Sequence, residues 1–105
     1  MNFEAYQNTS KVFAEYESDT YPFLGLAEEA GEFIGLLAKI KRGDDMTARF
    51  GSEEAFKEAF MKEAGDVLWM LTQCLTEANV SLEEVAALNL QKLEDRKARG
   101  VIKGS

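Results

Sequence analysis

A chain of 105 residues, 46% hydrophobic and 30% charged, has the make-up of one globular domain and is read as a single domain over 1–105. A net charge of −7 excludes a nucleic-acid polymer held on a basic surface. The lack of any histidine excludes imidazole bases, histidine-built zinc sites and Ser-His or Cys-His nucleophile pairs.

Its single cysteine, Cys74, rules out an internal disulfide and reads as a buried thiol. With no signal peptide and no apolar run of membrane-spanning length, the expectation is a cytoplasmic protein that engages no membrane. No segment alternates with period two, so the chain reads as all-α. A first helix is expected over 3–17, with Phe3, Tyr6, Val12, Phe13 and Tyr16 as its apolar set, and Ser18, Asp19 and Thr20 break it. Pro22, the only proline, suits the first turn of a second helix that runs to Arg42 and stops at Gly43.

Residues 43–51, GDDMTARFG, read as a loop bounded by glycines. Ser52, with Glu53 and Glu54 behind it, caps a third helix that continues to Ala78. Ser81 to Glu84 form a capping box that opens a fourth helix to Arg99, stopped by Gly100; the tail 101–105 is expected to fray. Long amphipathic helices joined by short connections predict an antiparallel four-helix bundle-like fold.

Two stretches stand out within those helices: EEAGEF at 28–33 and KEAGDV at 62–67. A helix-interior glycine costs about 1 kcal/mol relative to alanine. Carboxylates are rarely buried without a partner. At 100° per residue, Glu29 falls among Leu36 and Ile40 on the buried stripe of the second helix, Glu32 on its edge and Glu28 further out. On the third helix Glu63 falls between apolar neighbours and Asp66 flanks it. The bland alternative is a solvated acidic face. If the acids converge, they repel one another unless a cation neutralises them, and oxygen ligands favour Mg²⁺ or Mn²⁺ over zinc. Gly31 and Gly65 then read either as points of close helix approach or as tolerated packing defects.

The pairing of EEAGE (Glu28, Glu29, Glu32) with EAGD (Glu63, Asp66) resembles the EExxE…ExxD signature of the MazG-like all-α nucleoside triphosphate pyrophosphohydrolases. LAEEAGEF, EAGDVLWML and the downstream NLQKLEDR carry the likeness over roughly residues 20–100. The resemblance implies hydrolysis of a nucleoside triphosphate between its α- and β-phosphates. By it, Glu29, Glu32, Glu63 and Asp66 hold Mg²⁺, Glu28 takes an outer or second-metal role, and Glu32 or Glu28 accepts a proton from water. It also implies a homodimer or homotetramer with sites near subunit interfaces. The segment 33–62 between the motifs is at the long end for the family.

Asn89, Lys92 and Arg96 lie at i, i+3 and i+7 beside the stripe of Leu82, Ala86, Leu90 and Leu93. They read as phosphate ligands or as an ordinary solvated flank. Lys39 reads as a partner of the carboxylates or a phosphate ligand, and Arg42 as a helix C-terminal charge. Trp69 faces away from the main stripe, toward a subunit interface or as a stacking wall for a nucleobase. Apolar surface around Trp69, Met61 and Leu68 suggests self-association. Competing readings are a specialist for dUTP or phosphoribosyl-ATP, or a non-catalytic helical module that binds a partner.

Overall fold

The computed structural model describes residues 1–101; the expected fraying of the tail falls on residues that, from 102 on, lie outside the described ones. The chain is all-α, with no strand among the described residues and no helix long and apolar enough to cross a membrane. Helix α1 spans Phe3–Ser10 and passes into a single 3-10 turn, Lys11–Phe13. Helices α2 (Tyr21–Arg42), α3 (Met46–Phe50), α4 (Glu53–Glu77) and α5 (Leu82–Ala98) follow.

The long helices start and stop where local chemistry dictates. Pro22 sits in the first turn of α2, and Gly43, at φ 94°, closes it by donating to the Ile40 carbonyl. The Ser52 and Ser81 side chains accept from the Ala55 and Glu84 amides to cap α4 and α5. Two expectations fail. The first helix ends at Ser10 rather than Glu17, because Ser10 turns its hydroxyl back onto the Gln7 carbonyl and the next residues tighten into the 3-10 turn. The segment 43–51 is not a bare loop. Asp45 caps a short helix by accepting from the Ala48 amide, Met46 is buried beneath it, and Gly51 ends it at φ 97°.

Helices α2 and α4 form the principal pair, and they run antiparallel, since Gly25 meets Met70 at one end while Phe33 meets Phe60 further along. The close approach is at Gly25, where an added Cβ would lie 2.6 Å from the Met70 Sδ and Cε. Gly31 and Gly65 have open space beside them, so the chain's own helices do not approach there. Beyond Phe33, a chain of rings locks the far end. Phe33 and Phe60 lie 5.0 Å apart, Phe56 and Phe60 6.1 Å, and Phe50 and Phe56 5.6 Å, which ties α3 to both long helices.

Polar contacts hold α1 in place. The Trp69 indole donates to the Ser10 carbonyl at 3.1 Å, and the fully buried Gln73 amide donates to the Ser10 hydroxyl at 2.8 Å. Gln7 donates to Thr76 and accepts from the Leu82 amide, which joins α1 to the start of α5. The remainder of α5 leaves the bundle: its main packing is on α1, and Leu88 and Leu90 are 66% and 60% exposed. The radius of gyration is 16.7 Å, where a compact chain of this length gives about 13 Å. The chain exposes 7908 Å², where a compact monomer of 11.7 kDa exposes about 5,900 Å². The single chain is therefore an open antiparallel pair with appended helices rather than a closed four-helix bundle.

Gly25→Ala should lower stability by about 1–3 kcal/mol, because buried Met70 has to repack. In an open helix interior the same swap gains about 1 kcal/mol. Urea unfolding distinguishes the two; a more stable variant would show that α2 and α4 do not meet at this point.

Candidate metal centre

Antiparallel packing carries the two acidic stretches past each other midway between Gly25 and the phenylalanine chain. Glu29 and Glu32, one turn apart on α2, meet Glu63 on α4, and one carboxylate oxygen of each lies within 4.8 Å of the others. Glu29 and Glu63 are half-buried and Glu32 is exposed at the rim. Two unit charges at that separation repel by about 3 kcal/mol at an effective dielectric of 20, and by less where water reaches them. Packing on both sides holds the carboxylates together against that repulsion.

Two features show what the cluster is short of. The buried Glu29 Oε2 and Glu63 Oε2 have no hydrogen-bond partner. Burial, then the charges of Glu32, Asp66 and Glu63, and a hydrogen bond with Glu32 push the Glu29 carboxyl above its ordinary range. A group of oxygen donors, carrying excess negative charge and buried unpaired lone pairs, fits a hard divalent cation. No lysine or arginine forms an ion pair with these acids among the described residues.

The other expected site residues fall in different places. Asp66 is exposed and outside the closest group, yet near enough for its charge to push up both Glu29 and the Tyr6 phenol, the latter chiefly raised by burial. Glu28 is exposed and outside the group. Lys39 lines a cleft of about 360 Å³ together with Glu32 and Glu63. Arg42 is turned away onto Asp44, which it grips through Nε at 3.0 Å and through Nη2. Asn89, Lys92 and Arg96 are all exposed on α5, and none lines the cleft within one chain. Trp69 is half-buried: its indole N–H donates to the Ser10 carbonyl and its ring meets Tyr16 edge-on, with centroids 6.4 Å apart. Arg49 and Phe50 of α3 also line the cleft. A five-residue helix has no periodicity to reveal them; the Asp45 cap and the Gly51 stop are its only sequence signals.

The sequence model of the MazG nucleotide pyrophosphohydrolase domain matches residues 19–101, from just ahead of α2 to just past α5. The chain is 37% identical over 89 residues to the Gene 37 protein of Mycobacterium phage L5, covering 85% of this chain and 75% of that protein. That name states no activity. No solved structure gives a significant match.

A carboxyl raised in the folded state favours folding when protonated, so its contribution is present below the ordinary value of 4.5 and is lost as pH rises through the raised value. In metal-free protein at pH 7, Glu29→Gln should therefore melt above the wild type, with the advantage shrinking as the pH falls toward 4.5. Thermal melts across that range in chelator test this; a variant no more stable at pH 7 would mean that the cluster stores no repulsion.

Proposed function

This chain belongs to the MazG nucleotide pyrophosphohydrolase domain family, and from that premise we propose that it hydrolyses nucleoside triphosphates between the α- and β-phosphates, giving the monophosphate and pyrophosphate, in a Mg²⁺-dependent reaction. The observation that carries the reading is the convergence of Glu29, Glu32 and Glu63 with two buried, unpaired carboxylate oxygens. Those three residues, with Asp66 beside them, would hold Mg²⁺ or Mn²⁺. A divalent cation held there supplies charge neutralisation for phosphate oxygens and lowers the pKa of bound water.

The chain's own residues set the rest. Glu29 and Glu63, half-buried and fixed by packing, define where the phosphates sit. Glu32, at the solvent rim, is the better placed carboxylate to take a proton, with exposed Glu28 one turn before it as the second candidate. Water adds across the anhydride: its oxygen joins one phosphorus as the bond from that phosphorus to the bridging oxygen breaks, the bridging oxygen leaves with the other phosphate, and the released proton goes to the carboxylate. No imidazole or thiol is needed. Cys74 is half-buried, and burial pushes its thiol up, away from reactivity.

The functional unit in this reading is a homodimer or homotetramer. The apolar residues left exposed on α5, and Met61 on α4, are what a second copy would cover. Asn89, Lys92 and Arg96, absent from the cleft of their own chain, would reach phosphates of a neighbouring site. The domain is taken as the whole chain, and a cytoplasmic location suits a pool of free nucleotides. Acids lodged between apolar neighbours on two facing helices favour this reading over a partner-binding module, whose charges need only lie on the surface. A specialist for dUTP or phosphoribosyl-ATP would use the same centre.

Pyrophosphate release from a panel of ribo- and deoxyribonucleoside triphosphates, with Mg²⁺ and with chelator, tests the reading. Release is expected only with the metal and should fall by at least about 10²-fold in Glu63→Gln, about 2.7 kcal/mol of transition-state stabilisation. Mg²⁺ should also raise the melting temperature of the wild type and not that of the variant. Silence across the panel together with no metal-induced stabilisation would contradict the reading.

A further inference from the structure

The cleft beside the acids is lined by charges of both signs. Glu32 and Glu63 share a space of about 360 Å³ with Lys39 and Arg49, and with the apolar Leu36 and Phe50. Neither Lys39 nor Arg49 forms an ion pair among the described residues. Both act on the charge of Asp44, which Arg42 already holds with a two-point contact. Lys39 and Arg49 are thus close enough to act on the Asp44 charge but are left with donors to spare.

Arg49 reaches the cleft because α3 is built to place it. The Asp45 cap starts the helix, buried Met46 pins it, Phe50 joins the phenylalanine chain, and the left-handed Gly51 turns the backbone into α4. The guanidinium lies 5.9 Å from the Phe50 ring centroid, which restricts its freedom. A ligand that fits this cleft carries negative charge at both ends. One end is drawn to a cation held by the carboxylates, and the other is gripped directly by Lys39 and Arg49. A polyphosphate has that character, and a planar guanidinium matches phosphate oxygens with two parallel donors.

We propose that α3 supplies the leaving-group clamp of this site, with Arg49, supported by Lys39, binding the two phosphates released as pyrophosphate. The inference rests on the pyrophosphohydrolase reading and adds to it a binding role for the segment that separates the two acidic stretches.

Calorimetric titration of inorganic pyrophosphate in the presence of Mg²⁺ into the full chain tests the clamp. The wild type is compared with Arg49→Gln, Lys39→Gln, Arg49→Lys and Lys57→Gln. Lys57 is exposed on α4 outside the cleft, so its loss makes the same change in net charge. Arg49→Gln and Lys39→Gln should each weaken pyrophosphate by about tenfold or more and raise KM for the triphosphate. Arg49→Lys should recover part of the loss, and Lys57→Gln should stay within about twofold. Unchanged melting temperatures confirm that the variants fold. Arg49→Gln affinity within about twofold of the wild type would overturn the clamp, as would a wild type that hydrolyses triphosphates without binding pyrophosphate. A wild type that neither hydrolyses nor binds would overturn the reading on which the clamp rests.

Discussion

Everything in this molecule turns on the crossing of α2 and α4, which forces three carboxylates into one place. Left to themselves, Glu29, Glu32 and Glu63 would separate and hydrate. They cannot, because Gly25 against Met70 fixes one side of the crossing and the rings of Phe33, Phe60, Phe56 and Phe50 fix the other. Apolar packing is thereby turned into electrostatic tension at the centre, which a bound cation would relieve. Glycine enters this argument at Gly25, where a side chain would wedge the pair apart. Sliding one helix by a turn, about 5.4 Å, would take Glu63 out of reach of its partners.

The same economy explains the openness of the chain. Among the described residues the buried apolar side chains are Leu36, Met46, Met70 and Leu82, with Pro22, a thin core for this length. The polar bonds of Gln7, Ser10, Trp69 and Gln73 orient α1 but add little net stability each. In the proposed assembly, a second copy covering α5 would supply missing core and carry Asn89, Lys92 and Arg96 to the phosphates. Stability and activity would then depend on the same association.

Much of this was legible in the sequence because helices write their faces with a fixed period. The angular positions of Glu29 and Glu63 among apolar residues anticipated their half-buried state, and Ser52, Ser81 and Gly43 marked helix ends by chemistry that acts locally. What escaped notice depends on partners far along the chain. Nothing near Trp69 reveals that Ser10 will accept its indole hydrogen, and nothing near Gly25 reveals Met70. The acid-flanking glycines drew attention by repetition, yet both face open space. Helix α3 was missed for a different reason: five residues are too few to show a period, so its cap was the only clue. The amphipathic helices predict a bundle-like fold that association of copies would complete, and amphipathicity states that a face needs covering without naming the cover.

The central claim is that the two acidic stretches are halves of one metal site. Titration of Mn²⁺, followed by its paramagnetic resonance signal, into the wild type, Glu29→Gln and Glu63→Gln measures this directly. The account predicts that tight Mn²⁺ binding seen in the wild type is lost in either variant alone, although the two residues lie on different helices. Variants that each retain a separate fraction of the bound metal, or that bind as the wild type does, would contradict it.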